Sequence, residues 1–190
     1  MSHARDILAV AVLCLLIPIA NAQVVAPGQL FPGELLNVRA PNSDGWKRIE
    51  SSAVGMTFFS VGASATETYV AQVSLFALPE SKNRDEFFAF VQDAFKRSSP
   101  PERFKSLEAN YEYTEERGYP CVRVTAVVQD TKAFFGRESL TLQWHSFYCL
   151  HPKRQDAGFM ISFSHRGAPL DADLDVKAQA FIEGVQVPEE

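Results

Sequence analysis

Hydrophobic positions along this chain recur with two periods, and the switches between them mark out the elements. Tyr69, Ala71, Val73, Leu75 and Ala77 fall on one side of an alternating run over 69–78, the two-residue period of a strand. The same pattern predicts shorter strands over 46–49 and 56–61, and Pro79 closes the long run. Asn83 then stands where a helix wants its cap, with Glu86 three residues on, and Phe87, Phe88, Val91, Ala94 and Phe95 follow at helical spacing until Ser98-Ser99-Pro100-Pro101 stops them. An aromatic stripe at that spacing is read as core. Beyond it, Leu107, Ala109, Tyr111 and Tyr113 alternate with Glu108, Asn110, Glu112 and Thr114, as in a strand wet on one side. Residues 116–120 turn the chain into two more strands, 121–130 and 139–150, joined through Ala133-Phe134-Phe135-Gly136, and a further strand covers 159–165. Asp171 and Asp173 head a last helix whose Leu174, Ala178, Phe181, Ile182 and Val185 form one stripe.

The resulting order is strands, helix, strands, helix. Long antiparallel runs with helices set between them predict an α+β domain, a mainly antiparallel sheet with two main helices packed against it. Ahead of it, residues 23–45 are rich in turn formers (Pro27, Gly28, Pro32, Gly33, Pro41, Gly45) yet carry Leu30, Phe31, Leu35, Leu36 and Val38. Such a segment holds no long regular element, but its apolar residues need cover. It is an arm, packed on the domain over 46–190 or held out for a partner.

The first 22 residues read as a leader: Arg5 near the start, an apolar run from Ile7 to Ile19, and Ala20-Asn21-Ala22 before Gln23. That run is shorter than the about 20 apolar residues of a membrane span, so no stable span is expected after cleavage, and the destination is the periplasm or the exterior. Cys14 goes with the leader; Leu13 before it is not the small residue that a lipoprotein signal places there. Removing 22 of 190 residues leaves 168 and the same net charge of −5. An acidic chain lacks the general attraction to phosphate backbones that dominates non-specific nucleic-acid binding, and nucleic acid is excluded as a partner.

Export leaves two cysteines, Cys121 and Cys149, and two thiols in an oxidising compartment are most simply one disulfide. The strand patterns agree. Val122, Val124, Ala126 and Val128 are apolar on one face, while Arg123, Thr125 and Gln129 share the face of Cys121; Leu140, Leu142, Trp144 and Tyr148 oppose Thr141, Gln143 and His145, which lie with Cys149. Both sulfurs are thus expected on the more polar face. Setting Cys121 opposite Cys149 places Thr125 against His145, Gln129 against Thr141, Ala126 against Trp144 and Val128 against Leu142, with the turn centred on Phe135. Closing a loop of about 29 residues stabilises by about 3 to 4 kcal/mol on the chain-entropy view. The competing chemistry is a thiol nucleophile or a metal set drawn from a polar cluster of His145, His151 and His165 with Cys149. Along a strand, however, His145 and Cys149 stand roughly 13 Å apart at about 3.3 Å per residue, too far to hold one ion.

Other motifs fall away on inspection. Asp171-Ala172-Asp173-Leu174-Asp175 begins like a calcium loop but has Val176 where glycine is required and Ile182 where glutamate is required. The chain has no G-x-S-x-G, H-E-x-x-H or C-x-x-C sequence.

A tryptophan-led first strand (Gly45-Trp46-Lys47-Arg48-Ile49), a short strand (Gly55-Met56-Thr57-Phe58-Phe59), a long strand to Pro79, an amphipathic helix, a meander and a closing helix ending Phe181-Ile182-Glu183-Gly184-Val185 resemble the Mog1/PsbP-like group over about 45–187. The resemblance implies that group's sandwich fold and a protein-binding, non-enzymatic style, since its members are mostly accessory proteins. The expectation is an exported accessory or binding protein of the cell envelope, without cofactor or catalysis, working through a protein partner for which the arm is the candidate docking element. A carrier of a lipid or other small apolar ligand is the alternative, motivated by fifteen phenylalanines; a thiol or metal enzyme is the third.

Overall fold

The computed structural model describes residues 22–64, 66–78, 83–133 and 139–189. The expected leader up to residue 21, Pro79 and the turn about Phe135 lie outside the described residues. In chain order the elements are β1 (Gln23–Val24), β2 (Leu30–Phe31), β3 (Asn37–Arg39), β4 (Lys47–Ser52), β5 (Gly55–Val61), β6 (Thr68–Ala77), α1 (Arg84–Ser98), β7 (Phe104–Thr114), β8 (Cys121–Asp130), β9 (Leu140–Leu150), β10 (Ala157–Gly167), α2 (Leu174–Glu183) and β11 (Val185–Gln186). Eight strands form one antiparallel sheet in the order β1-β4-β5-β6-β10-β9-β8-β7, and a small second sheet runs β11-β3-β2. This is the α+β architecture predicted from the periodicities.

Each element forms for a local reason. The Asn83 side chain accepts the Glu86 backbone N–H at 3.0 Å and so caps α1; its Phe87, Val91 and Phe95 are buried. Val185, expected on the stripe of the last helix, is instead a strand residue: α2 stops at Glu183, Gly184 follows, and Val185 pairs with Val38. The β3 edge offers that backbone a ladder, which outcompetes one more helical turn. Leu107, expected in line with Ala109 and Tyr111, sits in a bulge of β7 between Ser106 and Glu108 and is exposed. The extra residue breaks the two-residue period there.

Alternation sends side chains to two faces, and both are covered. On one, Phe87, Val91 and Phe95 of α1 meet Val122, Val124, Ala126, Tyr148 and Met160. On the other, Leu174, Ala178, Phe181 and Ile182 of α2 meet Phe58, Cys121, Phe147, Cys149, Phe159, Ile161 and Phe163. The turn-rich arm belongs to this second layer: Val25, Leu36, Val38 and Ala40 are core residues, β3 pairs with β11, and Val25 N–H donates to the Trp46 carbonyl at 3.1 Å. Of the two roles left open for the arm, the structure has it packed on its own domain. Its apolar residues cover the sheet where α2 does not reach.

Candidate functional site

The two strand ladders place the sulfurs as the alternation requires. Cys121 is the partner of Cys149 in the β8–β9 register, Thr125 faces His145, Gln129 faces Thr141, Ala126 faces Trp144, and Val128 faces Leu142. The bridge joins Cα atoms 4.1 Å apart. One expectation is corrected: the cysteine face is not wet at the bridge. Both cysteines are fully buried in the α2-side core, because α2 and the arm cover that end of the sheet. Its polar neighbours lie farther along β8, where Arg123 turns outward to Glu112 and Glu116.

The three histidines occupy different settings. His151 is buried where the chain leaves β9; its Nδ1 accepts the Lys153 backbone N–H at 3.2 Å, which leaves Nε2 to donate to the Leu35 carbonyl at 3.1 Å. It fastens the arm to the sheet. His145 and His165 lie near one another toward the start of α2. His145 Nε2 stands 3.1 Å from Asp175 Oδ1; burial lowers its pKa, and the pull of Asp175 only partly offsets that.

His165, fully buried, is held at both nitrogens. Gln143 Oε1 accepts the Asp171 backbone N–H at 2.7 Å and His165 Nδ1 at 3.0 Å, while His165 Nε2 faces Glu67 Oε1 at 3.1 Å. Each ring nitrogen of His165 thus faces a side-chain oxygen, one from β9 and one from the loop before β6. Around it, Tyr69 places its hydroxyl 3.0 Å from Asp171 Oδ2 and 3.3 Å from Glu67 Oε1 and lays its ring 4.7 Å from that of His165. Lys177 Nζ reaches Asp171 at 2.6 Å. Burial, followed by the Asp171 hydrogen bond, pushes the Tyr69 phenol far up, so Tyr69 works as a neutral donor and not as a base. The bond from the Ala63 N–H holds the Glu67 carboxyl below its usual range. This network ties the loop before β6 to β10 and the start of α2. The sequence pattern singles out His165 in its polar cluster and the acid at Asp171, which accepts the Asp173 N–H, but does not show Glu67, Tyr69 and Gln143 as their partners.

On the opposite face, buried Asp130 takes two bonds from Arg103, at 3.0 and 2.9 Å, and faces Arg166 at 3.3 Å. Burial alone would raise its carboxyl; the Arg103 bonds and the Arg166 charge outweigh that and hold it low. A cleft of about 310 Å³ opens between the arm and the β4–β5 hairpin, its wall mixing apolar residues such as Phe31, Leu36 and Met56 with Glu34, Ser51 and Ser52.

The chain is similar to solved structures of Mog1 and PsbP proteins. A point mutant of protein Mog1 matches over 88% of this chain and 96% of that one, at 15% identity and a TM-score of 0.48. Cyanobacterial PsbP (CyanoP) from Synechocystis sp. PCC 6803 matches over 86% and 94%, at 17% and 0.49. The Ran-binding protein Mog1p of Saccharomyces cerevisiae matches over 88% and 95%, at 16% and 0.43. No family model and no curated protein matches the sequence.

Proposed function

We propose that this protein is an exported accessory protein of the cell envelope that acts by binding another protein and performs no catalysis. The observation that carries this reading is the use made of its chemically capable side chains. Cys121 and Cys149 are joined to each other, His151 fastens the arm, His165 fastens the start of α2, and Tyr69 is held as a neutral donor. Among the described residues these groups are engaged in holding the fold, which favours surface contact as the means of action. A disulfide is the mark of oxidising compartments, and with the leader it supports a periplasmic or secreted location.

Crosslinking in intact cells, read by mass spectrometry, tests the reading: a reproducible envelope partner is expected, and its absence counts against it. Thiol counting on the denatured, unreduced mature protein should find none; two free thiols would return the thiol-enzyme alternative. A second reading draws on the partly apolar cleft between the arm and the hairpin, whose about 310 Å³ matches the lower end of small-ligand sites. Here the protein carries a compact apolar molecule. Native mass spectrometry of protein taken from its own envelope would then show a stoichiometric adduct.

A further inference from the structure

The eight-stranded sheet ends very differently on its two sides. One edge is β1, two residues long; the other is β7, eleven residues long. An antiparallel strand directs alternate backbone N–H and C=O groups to each neighbour, and among the described residues β7 has a neighbour only in β8. Its outward groups therefore form a ready template for another strand. The bulge at Leu107 ends the regular stretch on one side, which leaves 108–114 as the straight part.

The side chains beside that stretch define what would fit. Glu108, Asn110 and Glu112 line one face and are exposed; Arg123 partly offsets Glu112. Residues 102–116 hold five carboxylates against two cations, and one of the cations, Arg103, is bonded to Asp130. On the other face Tyr111 packs edge-on against Phe88 and Phe95 of α1, and Tyr113 carries Arg84 over its ring. A second copy of this chain is a poor occupant: a two-fold at Asn110 would set Glu108 directly against Glu112, and one at Tyr111 would still gather Glu108 and Glu112 of both copies on one face without an added cation, where like charges are destabilising.

We propose that β7 is the docking edge of this protein, adding an extended segment of a partner protein whose basic residues alternate with apolar ones. The basic set faces Glu108 and Glu112, and the apolar set extends the Tyr111–Phe88 cluster along the rim of α1. This rests on the partner-binding reading above and names its surface.

The probe is a synthetic peptide alternating lysine and valine over about nine residues, with a glutamate–valine counterpart as control. The wild-type protein should bind the basic peptide about tenfold or more tightly than the acidic one, and backbone amides within 108–114 should gain hydrogen-exchange protection. The double variant Glu108→Lys, Glu112→Lys changes only exposed side chains and should reverse the preference. Binding without protection of β7 amides, or an unchanged preference in the double variant, overturns the proposal. In intact cells, loss of the partner crosslink in that variant supports β7. A crosslink that survives the double change sinks β7 but leaves the partner reading standing, whereas no crosslink from either form removes the reading itself.

Discussion

Both faces of the large sheet carry a buried core, but the two cores are closed by different means. The α1 face is shut by one capped helix whose aromatic stripe meets the valines of β8, with a cluster that lies within 76–160 of the sequence. The α2 face is assembled from both ends of the chain: the arm, β11 and α2 converge on Phe58, Phe159 and Phe163. Polar ties then hold this second layer, with the His165–Glu67 and Tyr69–Asp171 contacts spanning 98 and 102 residues. A face closed by one local element can form early and alone, whereas a face closed by distant pieces must first meet the entropy of bringing them together. Each face also contains its own reporter, Trp46 among the α2-side residues and Trp144 against Phe95 on the α1 side.

The sharpest way to break this contrast is to empty one face at a time. Phe163 packs against Trp46, Tyr69 and Phe181, and Phe163→Ala should cost about 3 to 5 kcal/mol, measured by urea unfolding. Phe87→Ala on the α1 face should cost a similar amount. The two should differ in what loosens: in Phe163→Ala the Arg39 amide, which donates to the Gly184 carbonyl, should lose hydrogen-exchange protection under native conditions, while in Phe87→Ala it should keep it. Equal loss in both variants would mean that the faces open as one unit.

The same contrast explains what was legible in the sequence. Strand and helix periods, the Asn83 cap and the Cys121–Cys149 register are local or rest on alternation, and each appears in the structure where the pattern put it. The wetness of the cysteine face was misjudged, because whether a polar-looking strand face is covered depends on elements far away, here the arm and α2. The same blindness hid the engagement of His165: nothing near Glu67 or Gln143 in the sequence shows that they meet around one ring. The stripe predicts a helical Val185 because a helical period cannot reveal that β3 lies ready to pair with it. Leu107 shows the converse, an apolar residue in phase with its neighbours until a bulge turns it out.

A smaller effect should separate the faces by pH. His145, Glu67 and Asp171, all on the α2 side, have pKa values lowered in the folded state: His145 by burial, Glu67 by the Ala63 N–H, and Asp171 by Lys177 and its other donors against the opposing effect of burial. A lowered folded-state pKa means that the unfolded chain binds the proton more readily, so each contribution is whole above the unfolded value and is lost as pH falls. Loss should begin below about pH 6.5 with His145 and deepen below about pH 4.5 with the two carboxylates. In a Trp144→Phe variant, Trp46 fluorescence should report this loosening of the α2 face. Glu67→Gln should cost about 1.5 to 3 kcal/mol at neutral pH, the range for a hydrogen bond to a charged group, and should flatten the acid part of the profile. An unchanged acid limb would show that Glu67 contributes nothing to holding α2.

The smallest effect belongs to the α1 face and is local. Asn83→Ala removes the side-chain oxygen that accepts the Glu86 N–H and should cost about 1 kcal/mol. Asp85 and Glu86 in the first turn of α1 and Lys96 and Arg97 in its last still complement the helix dipole, so the helix should fray at its first turn without melting. The signature is faster exchange of the 84–87 amides, with those of α2 and the arm unchanged. A matching change at the Arg39 amide, bonded to the Gly184 carbonyl, would show that the loss travels through the sheet, and the two layers could then no longer be treated as separately closed.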